Sequence, residues 1–378
     1  METPETCDVL IVGGGIIGLS LAYELSQQKL KIAVLERARC GSEASSAGAG
    51  ILAPQAEMDA MNPLTRLCVE SRELYSDFVA ELADRSRRPI EYRQTGLLYL
   101  ALSDQANERL QERFNWQKEA GFTVERLDPK EVLELEPFVN PELRSALYFS
   151  RESVINNVEV MEALEVVVRA SGVQVLTECE VSSVESQPEG DLLVCSVQGE
   201  WKTDRVVIAA GCWSGQIRSP LSYSVPVRPV RGQIVETRTE SEAIRHVIYS
   251  DHSYLVPRQD HTVLLGSTTE WVGYSKGSTL EGVRRVIENS LRMVPSLDNC
   301  PVIRCRAGLR PHCEDGLPVI GATQTKGLYF ASGHFRNGLL LAPITARLMA
   351  KLLIDGETNE LLGPFSPERF STACQKEA

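Results

Sequence analysis

Hydrophobic residues fall into short solid runs near both ends of this chain and into periodic stretches between them. Residues 9–12 are uniformly apolar, too few for a helix, and are followed at once by glycines. That is how a strand buried on both faces reads. A helix is expected over 19–25 and a second strand over 31–35. Residues 64–86 place Leu67, Leu74, Phe78 and Leu82 at helical spacing, which predicts a helix with a stripe facing the core. Residues 94–102 read as a strand, and charged helices are expected over 103–120 and 128–136. The second of these opens on Asp128-Pro129, a cap followed by a proline in the first turn. A helix at 159–171 should stop at Gly172, with a strand at 173–176 and a polar hairpin near Gly190.

A buried strand at 204–209 runs into alanine and Gly211. Residues 221–305 then carry short strands at 234–237, 253–257 and 262–267 among prolines and turns. They predict a mainly antiparallel sheet, extended by 89–102. Residues 328–331 form one more buried strand, turning at Ser332-Gly333 into a helix from Asn337-Gly338 to about Leu353. The chain thus begins and ends with a strand, a turn and a helix, so both ends can join one sheet. The fold class expected is α/β (α+β overall), with no internal repeat or low-complexity linker.

Chemistry enters at the first turn. Gly13, Gly15 and Gly18 give G-x-G-x-x-G between the first strand and first helix. In a dinucleotide-binding unit Gly13 permits the tight turn and Gly15 lets the backbone approach a pyrophosphate. Gly18 lets helix and strand pack closely. The free N–H groups of the helix point at the phosphates. Glu36 ends the second strand, 18 residues after Gly18, where a carboxylate can accept hydrogen bonds from a ribose. The plain alternative is a structural βαβ unit; strand, turn, helix, strand and acid in register favour the Rossmann-like site. Composition and spacing do not choose between NAD and FAD. A Gly-, Ala- and Ser-rich stretch at 40–54 is either a flexible loop or a backbone cradle for an extended cofactor. The strand end at Gly211 is suited to lie against the same cofactor.

Among 378 residues the net charge is −12, with a pI near 5.1, and no basic block stands out. That argues against nucleic acid or an anionic membrane surface as the main partner. Glu2, Glu5 and Asp8 stand where a secretory signal would be positive, and no run of about twenty apolar residues appears. Ten cysteines are dispersed without a C-x-x-C. They read as free thiols of a cytoplasmic protein, with no metal site.

Four stretches resemble the amino-acid oxidases of the D-amino-acid oxidase class, and within it the glycine oxidases that serve thiamine thiazole synthesis. They are residues 11–18, residues 251–258, residues 307–311 with Asp315-Gly316, and residues 333–338. They span nearly the whole chain. The resemblance implies non-covalent FAD, oxidation of a small amine-bearing acid by O2, and a homotetramer. It implies an FAD-binding domain from 1–88, 148–220 and 306–378, and a substrate domain from 89–147 and 221–305.

Such chemistry needs a clamp for the carboxylate, a hydrogen aimed at the flavin, and stabilisation of the reduced ring. Arg310 is the clamp by resemblance, its guanidinium matched to a carboxylate; otherwise it is an ordinary salt-bridge arginine. Tyr254 binds the same carboxylate by resemblance, and read alone is as much a core tyrosine. Arg336 supplies a second cation over the pocket, or a loop salt bridge. His252 matches a pocket-edge histidine, with an orienting or structural role. The N-terminus of the last helix would face the flavin, where Gly338 avoids collision with the ring. The resemblance adds Ile16, Ile17, Glu36, Arg37, Ala44, Ser45, Ala49, Gly50, Ile51, Val181, His334, Phe335, Arg336, Asn337, Leu339 and Leu340 as FAD contacts. Two departures stand out. His312-Cys313 follows Arg310-Pro311 where relatives often have Gly-Thr, and Thr269 replaces an expected methionine. The remaining alternatives are a sarcosine or small D-amino-acid oxidase, an enzyme with another electron acceptor, or a non-catalytic FAD-binding subunit.

Overall fold

The computed structural model describes residues 4–240 and 244–371. Its first sheet is built on the apolar runs of both chain ends. Gln174–Leu176, Ile32–Leu35, Glu5–Val12, Gly199–Ile208 and Leu328–Ser332 lie side by side, all parallel. The strand Val319–Ala322 flanks the last of these antiparallel. Gly199–Ile208 is longer than expected because its first half is a hairpin arm of Leu192–Ser196, which pairs with Val181–Ser186. Its second half joins the parallel core.

Helices cover one face of this sheet. The opening helix Ile16–Leu25 is buried on nearly every side, as an apolar helix inside a core must be. Against it pack the last helix Gly338–Asp355 and the helix Asn157–Ala170; the long helix Pro63–Ser86 packs on both of these and sets Phe78 against Tyr23. Leu19, Leu21, Tyr23, Leu67, Tyr75, Leu341 and Met349 meet in their shared core. The last helix is long and apolar enough to cross a membrane by that measure alone, but 67% of its apolar window is buried inside the protein. It also contains Pro343, which lacks the N–H that would bond to the Leu339 carbonyl. The Tyr75 hydroxyl donates to that carbonyl instead, and Ser71 Oγ donates to the next one, at Leu340. The long helix thereby holds the start of the last helix in place.

The second sheet has eight strands. Their order is Val302–Cys313, Val227–Arg238, Thr262–Gly266, Tyr254–Pro257, Val247–Tyr249, Leu97–Ala101, Ser145–Phe149 and Glu125–Leu127. Every pairing is antiparallel except that of Val247–Tyr249 with Leu97–Ala101. The strand bearing Arg310 therefore runs in this sheet, opposite Val227–Arg238. Helices Asp104–Glu119 and Pro129–Leu135 follow the sequence reading, the latter with a full capping box between Asp128 and Glu131. The sequence reading gave no helix between 221 and 305, yet Leu280–Met293 is one. Val283, Val286, Ile287 and Leu291 keep helical spacing between Glu281, Arg284, Arg285 and Glu288, and they pack with Met293 against the core. Packing against the sheet and a Thr279 cap on the Gly282 N–H stabilise it. A three-stranded ribbon of Ile51–Leu52, Ser153–Ile155 and Tyr92–Arg93 links the two halves.

Candidate active site

One continuous cavity runs from the opening turn to the second sheet. At its first end, Gly13 has φ +112°, and a Cβ there would fall 2.6 Å from the Ala209 carbonyl oxygen. A Cβ on Gly18 would fall 2.0 Å from the Gly13 oxygen, so the helix sits directly on the turn. Gly15 caps the helix without a side chain, and the Ile16 N–H is taken by Ser45 Oγ at 2.9 Å. Both Glu36 carboxylate oxygens accept backbone N–H groups, from Gly14 at 2.7 Å and Ala38 at 2.8 Å. Each oxygen keeps a second lone pair for a ligand.

Beside this turn the wall is made of Arg37, Ala44, Ser45, Ala49, Gly50, Ile51, Val181 and Gly211. The Arg37 guanidinium lies 3.5 Å over the Trp213 ring and pairs with Glu43 at 3.0 Å. Gly50, at φ +76°, has no room for a Cβ, which would meet the Ile155 oxygen at 1.9 Å. Gly13, Gly15, Ile16 and Ile17 also face the cavity; Gly18 lies beneath it.

The other end is assembled by the second sheet. Arg310 projects into the cavity, donating to Ser267 Oγ at 2.7 Å and to the Thr268 carbonyl at 3.1 Å. No carboxylate pairs with it among the described residues. Loss of water lowers its pKa, and Tyr254 beside it pulls the value back up. Gly232 leaves its space, since a Cβ there would fall 2.2 Å from the guanidinium. Likewise Gly266, paired with Tyr254 across the sheet, makes way for the tyrosine ring. Tyr254 stacks on Tyr249 with ring centroids 5.6 Å apart. The Tyr249 hydroxyl donates to Glu57, and burial together with that carboxylate raises the Tyr249 pKa well above its usual value.

Between the two ends lies the start of the last helix. His334, Phe335, Arg336, Asn337, Gly338 and Leu339 line the cavity, while Leu340 turns into the core. Arg336 is exposed at the mouth and donates to Thr269 Oγ1 at 2.9 Å. His334 is buried against Thr345 Oγ1 at 3.1 Å, and burial pushes its pKa down from 6.5 to about 3. It is therefore neutral. Gly338 has ordinary helical angles (φ −57°, ψ −40°), and a Cβ there would make only normal contact, 3.6 Å from the His334 Cβ. No protein atom requires a glycine at this position. An open face at a helix start, continuous with a glycine turn and an acid-ended strand, fits an extended dinucleotide.

His252 is exposed and outside the cavity wall. Cys313 is buried outside it too, its thiol pushed up to about 12 by burial. The nine described cysteines are unpaired, and no cluster of three metal-binding side chains occurs among the described residues. Glu57, Tyr249, Ser267 and Trp213 were not anticipated as cavity residues. For Glu57 the only signal was the proline that starts its short turn; nothing local marked the others.

Comparison with known proteins covers most of the chain. The family described as FAD dependent oxidoreductase (DAO) matches residues 8–352. Glycine oxidase of Geobacillus kaustophilus is 31% identical over 365 residues, covering 96% of this chain and 97% of that protein. The bifunctional protein ThiO/ThiG of Synechocystis is 30% identical across 97% of this chain and 54% of its own length. The crystal structure of the Geobacillus kaustophilus glycine oxidase superposes with a TM-score of 0.92 over 96% of this chain and 98% of that one. A match that takes in the glycine turn, both sheets and the last helix means that this chain belongs to the FAD-dependent oxidoreductase family.

Proposed function

We propose that this protein is a glycine oxidase, converting glycine, O2 and water to glyoxylate, ammonia and hydrogen peroxide, with sarcosine and small D-amino acids as further substrates. The observation that carries the reading is Arg310: a guanidinium in the FAD-family cavity, held by Ser267 and Thr268 and paired with no carboxylate among the described residues. Such a group calls for an anionic ligand, and its planar fork suits a carboxylate. Tyr254 supplies a neutral donor beside it. Relatives of both names above support glycine as the substrate and a supply of product to thiamine thiazole synthesis.

FAD, when bound, supplies the two-electron acceptor and its reoxidation by O2. In this reading Glu36 takes the ribose hydroxyls, and the N–H groups after Gly15 take the pyrophosphate. The N-terminus of the last helix, opened by Gly338, would face the ring. There its dipole and free N–H groups favour negative charge. Arg310 and Tyr254 hold the substrate carboxylate, and Arg336 adds positive potential at the mouth. His252 touches nothing in this scheme, and hydride loss from a neutral amine requires no protein base. A buried Cys313 leaves FAD non-covalent. Assembly as a tetramer belongs to the same proposal and is read by light scattering.

The test is to mix the yellow holoenzyme with glycine, sarcosine or D-alanine without oxygen. Bleaching, fastest with glycine, followed by peroxide on admitting air, is the expected result. A flavin that none of them bleaches would sink the substrate assignment while leaving the family intact.

A further inference from the structure

The carboxylate clamp accounts for half of an amino acid. The amino group also needs a partner, and the cavity offers one that the scheme above does not use. Among the described residues four glutamates line it. Glu36 is engaged at the opening turn, Glu43 pairs with Arg37 and Lys276, and Glu180 is exposed next to Val181. Glu57 alone belongs to the Arg310 end, since its Oε1 accepts from Tyr249, which stacks on Tyr254.

Glu57 is firmly placed. It ends the helical turn Pro54–Glu57, whose Gln55 N–H donates to the buried Glu152 carboxylate at 3.1 Å. Arg113 Nη1 donates to the carbonyls of Gln55 and Ala56, each at 3.1 Å, and to that of Met58. Gln117 also donates to the Gln55 carbonyl, at 2.7 Å. The backbone on both sides of Glu57 is thus fixed by a guanidinium. Its Oε1 is fixed by a tyrosine, and Oε2 has no hydrogen bond among the described residues. A half-buried carboxylate held in this way, in the same cavity as Arg310 and near enough for the two charges to act on each other, makes a site for a zwitterion.

We propose that Glu57 recognises the amino group of the substrate, accepting its N–H while Arg310 holds the carboxylate. Tyr249 and Arg113 act as positioning residues. This rests on the amino-acid oxidase reading and adds to it a reason for choosing amines over hydroxy acids. A carboxylate accepts strongly from an ammonium or amine, whereas a hydroxyl gives it a weaker bond.

The experiment compares glycine with glycolate, which keeps the carboxylate and replaces the amine by a hydroxyl. Glu57→Gln removes the charge, keeps the shape and leaves an acceptor for Tyr249. In the holoenzyme, KM for glycine should rise on the order of ten- to a hundredfold, the size of one charge-assisted hydrogen bond. Glycolate affinity, read from perturbation of the flavin absorbance, should stay unchanged or tighten. Tyr249→Phe should move the glycine-to-glycolate ratio in the same direction by less, and Glu57→Asp should retain part of the preference for glycine. Equal losses for both ligands would show a merely structural glutamate, and no change in either would remove Glu57 from the site; each overturns the inference. A wild-type enzyme that glycine does not bleach removes the parent reading, and is seen before any variant is made.

Discussion

The two ends of the cavity are built by opposite means. At the opening turn nearly everything comes from residues 8–45 and from the backbone: glycines that leave room, N–H groups at a helix start, a carboxylate ending the next strand. At the Arg310 end almost nothing is local. Glu57, the hairpin pair Tyr249 and Tyr254, Arg310 and Arg336 come from four separate segments, and each acts through its side chain. A dinucleotide presents phosphates and ribose that backbone groups can meet, so a short motif is enough. A small zwitterion must be met by opposed charges a few ångströms apart, and only tertiary topology brings those together.

That contrast can be broken first at Arg310. Arg310→Ala should lower kcat/KM for glycine on the order of a thousandfold, about 4 kcal/mol of lost charge pairing. The flavin spectrum and FAD content should stay as in the wild type, because no residue of the glycine turn touches Arg310. Loss of FAD in this variant would show that the two ends are not independent. At the other end, Gly18→Ala forces a Cβ against the Gly13 oxygen, 2.0 Å away. We expect about 3 kcal/mol of lost stability from overpacking, with protein that elutes colourless from gel filtration. A variant that melts like the wild type and stays yellow would mean that the turn can shift at little cost.

How far each end was legible follows from the same contrast. The pairing of Glu5–Val12 with Ile32–Leu35, the glycine turn and Glu36 are all written within the first 36 residues, where period and composition are decisive. Arg310 and Tyr254 were reached through resemblance, since a lone arginine before a proline and a tyrosine on an apolar strand have commoner explanations. Tyr249 ends a strand of only three residues, too short to read as one; once it is a strand, the hairpin sets Tyr249 opposite Tyr254 and the stacking follows. Thr269, standing where a methionine is expected, accepts a hydrogen bond from Arg336. The helix Leu280–Met293 is legible in the sequence after all, since Val283, Val286, Ile287 and Leu291 fall at helical spacing among charged residues.

The junction between the ends has its own signature in acid. His334 is neutral in the fold, its pKa lowered from 6.5 to about 3 by burial. Below pH 6.5 the unfolded chain binds a proton that the folded chain refuses, so stability falls as pH falls. The slope is about 1.4 kcal/mol per pH unit, which amounts to about 2 kcal/mol by pH 5. Denaturant midpoints for wild type and His334→Gln at pH 7 and pH 5 isolate this contribution. The variant should lose less on acidification; equal losses would mean that His334 gains its proton in the folded state.

The smallest change in protein stability is expected at Gly338, and it separates space kept for the protein from space kept for a ligand. At Gly18 a side chain would strike backbone; at Gly338 it would meet only the His334 Cβ at an ordinary 3.6 Å, on a residue with helical angles. Alanine is favoured over glycine in a helix by roughly 0.5–1 kcal/mol, because it loses less conformational freedom on folding. Gly338→Ala should therefore leave the apoprotein slightly more stable, raising its melting temperature by a few degrees at most. If the start of the last helix lies against FAD, the added methyl intrudes on the cofactor instead, and FAD affinity measured by fluorescence titration should fall about tenfold or more. Stability and affinity then move in opposite directions. A variant that gains stability and binds FAD as before would place the flavin away from this helix, and with it the stabilising dipole on which the oxidase scheme depends.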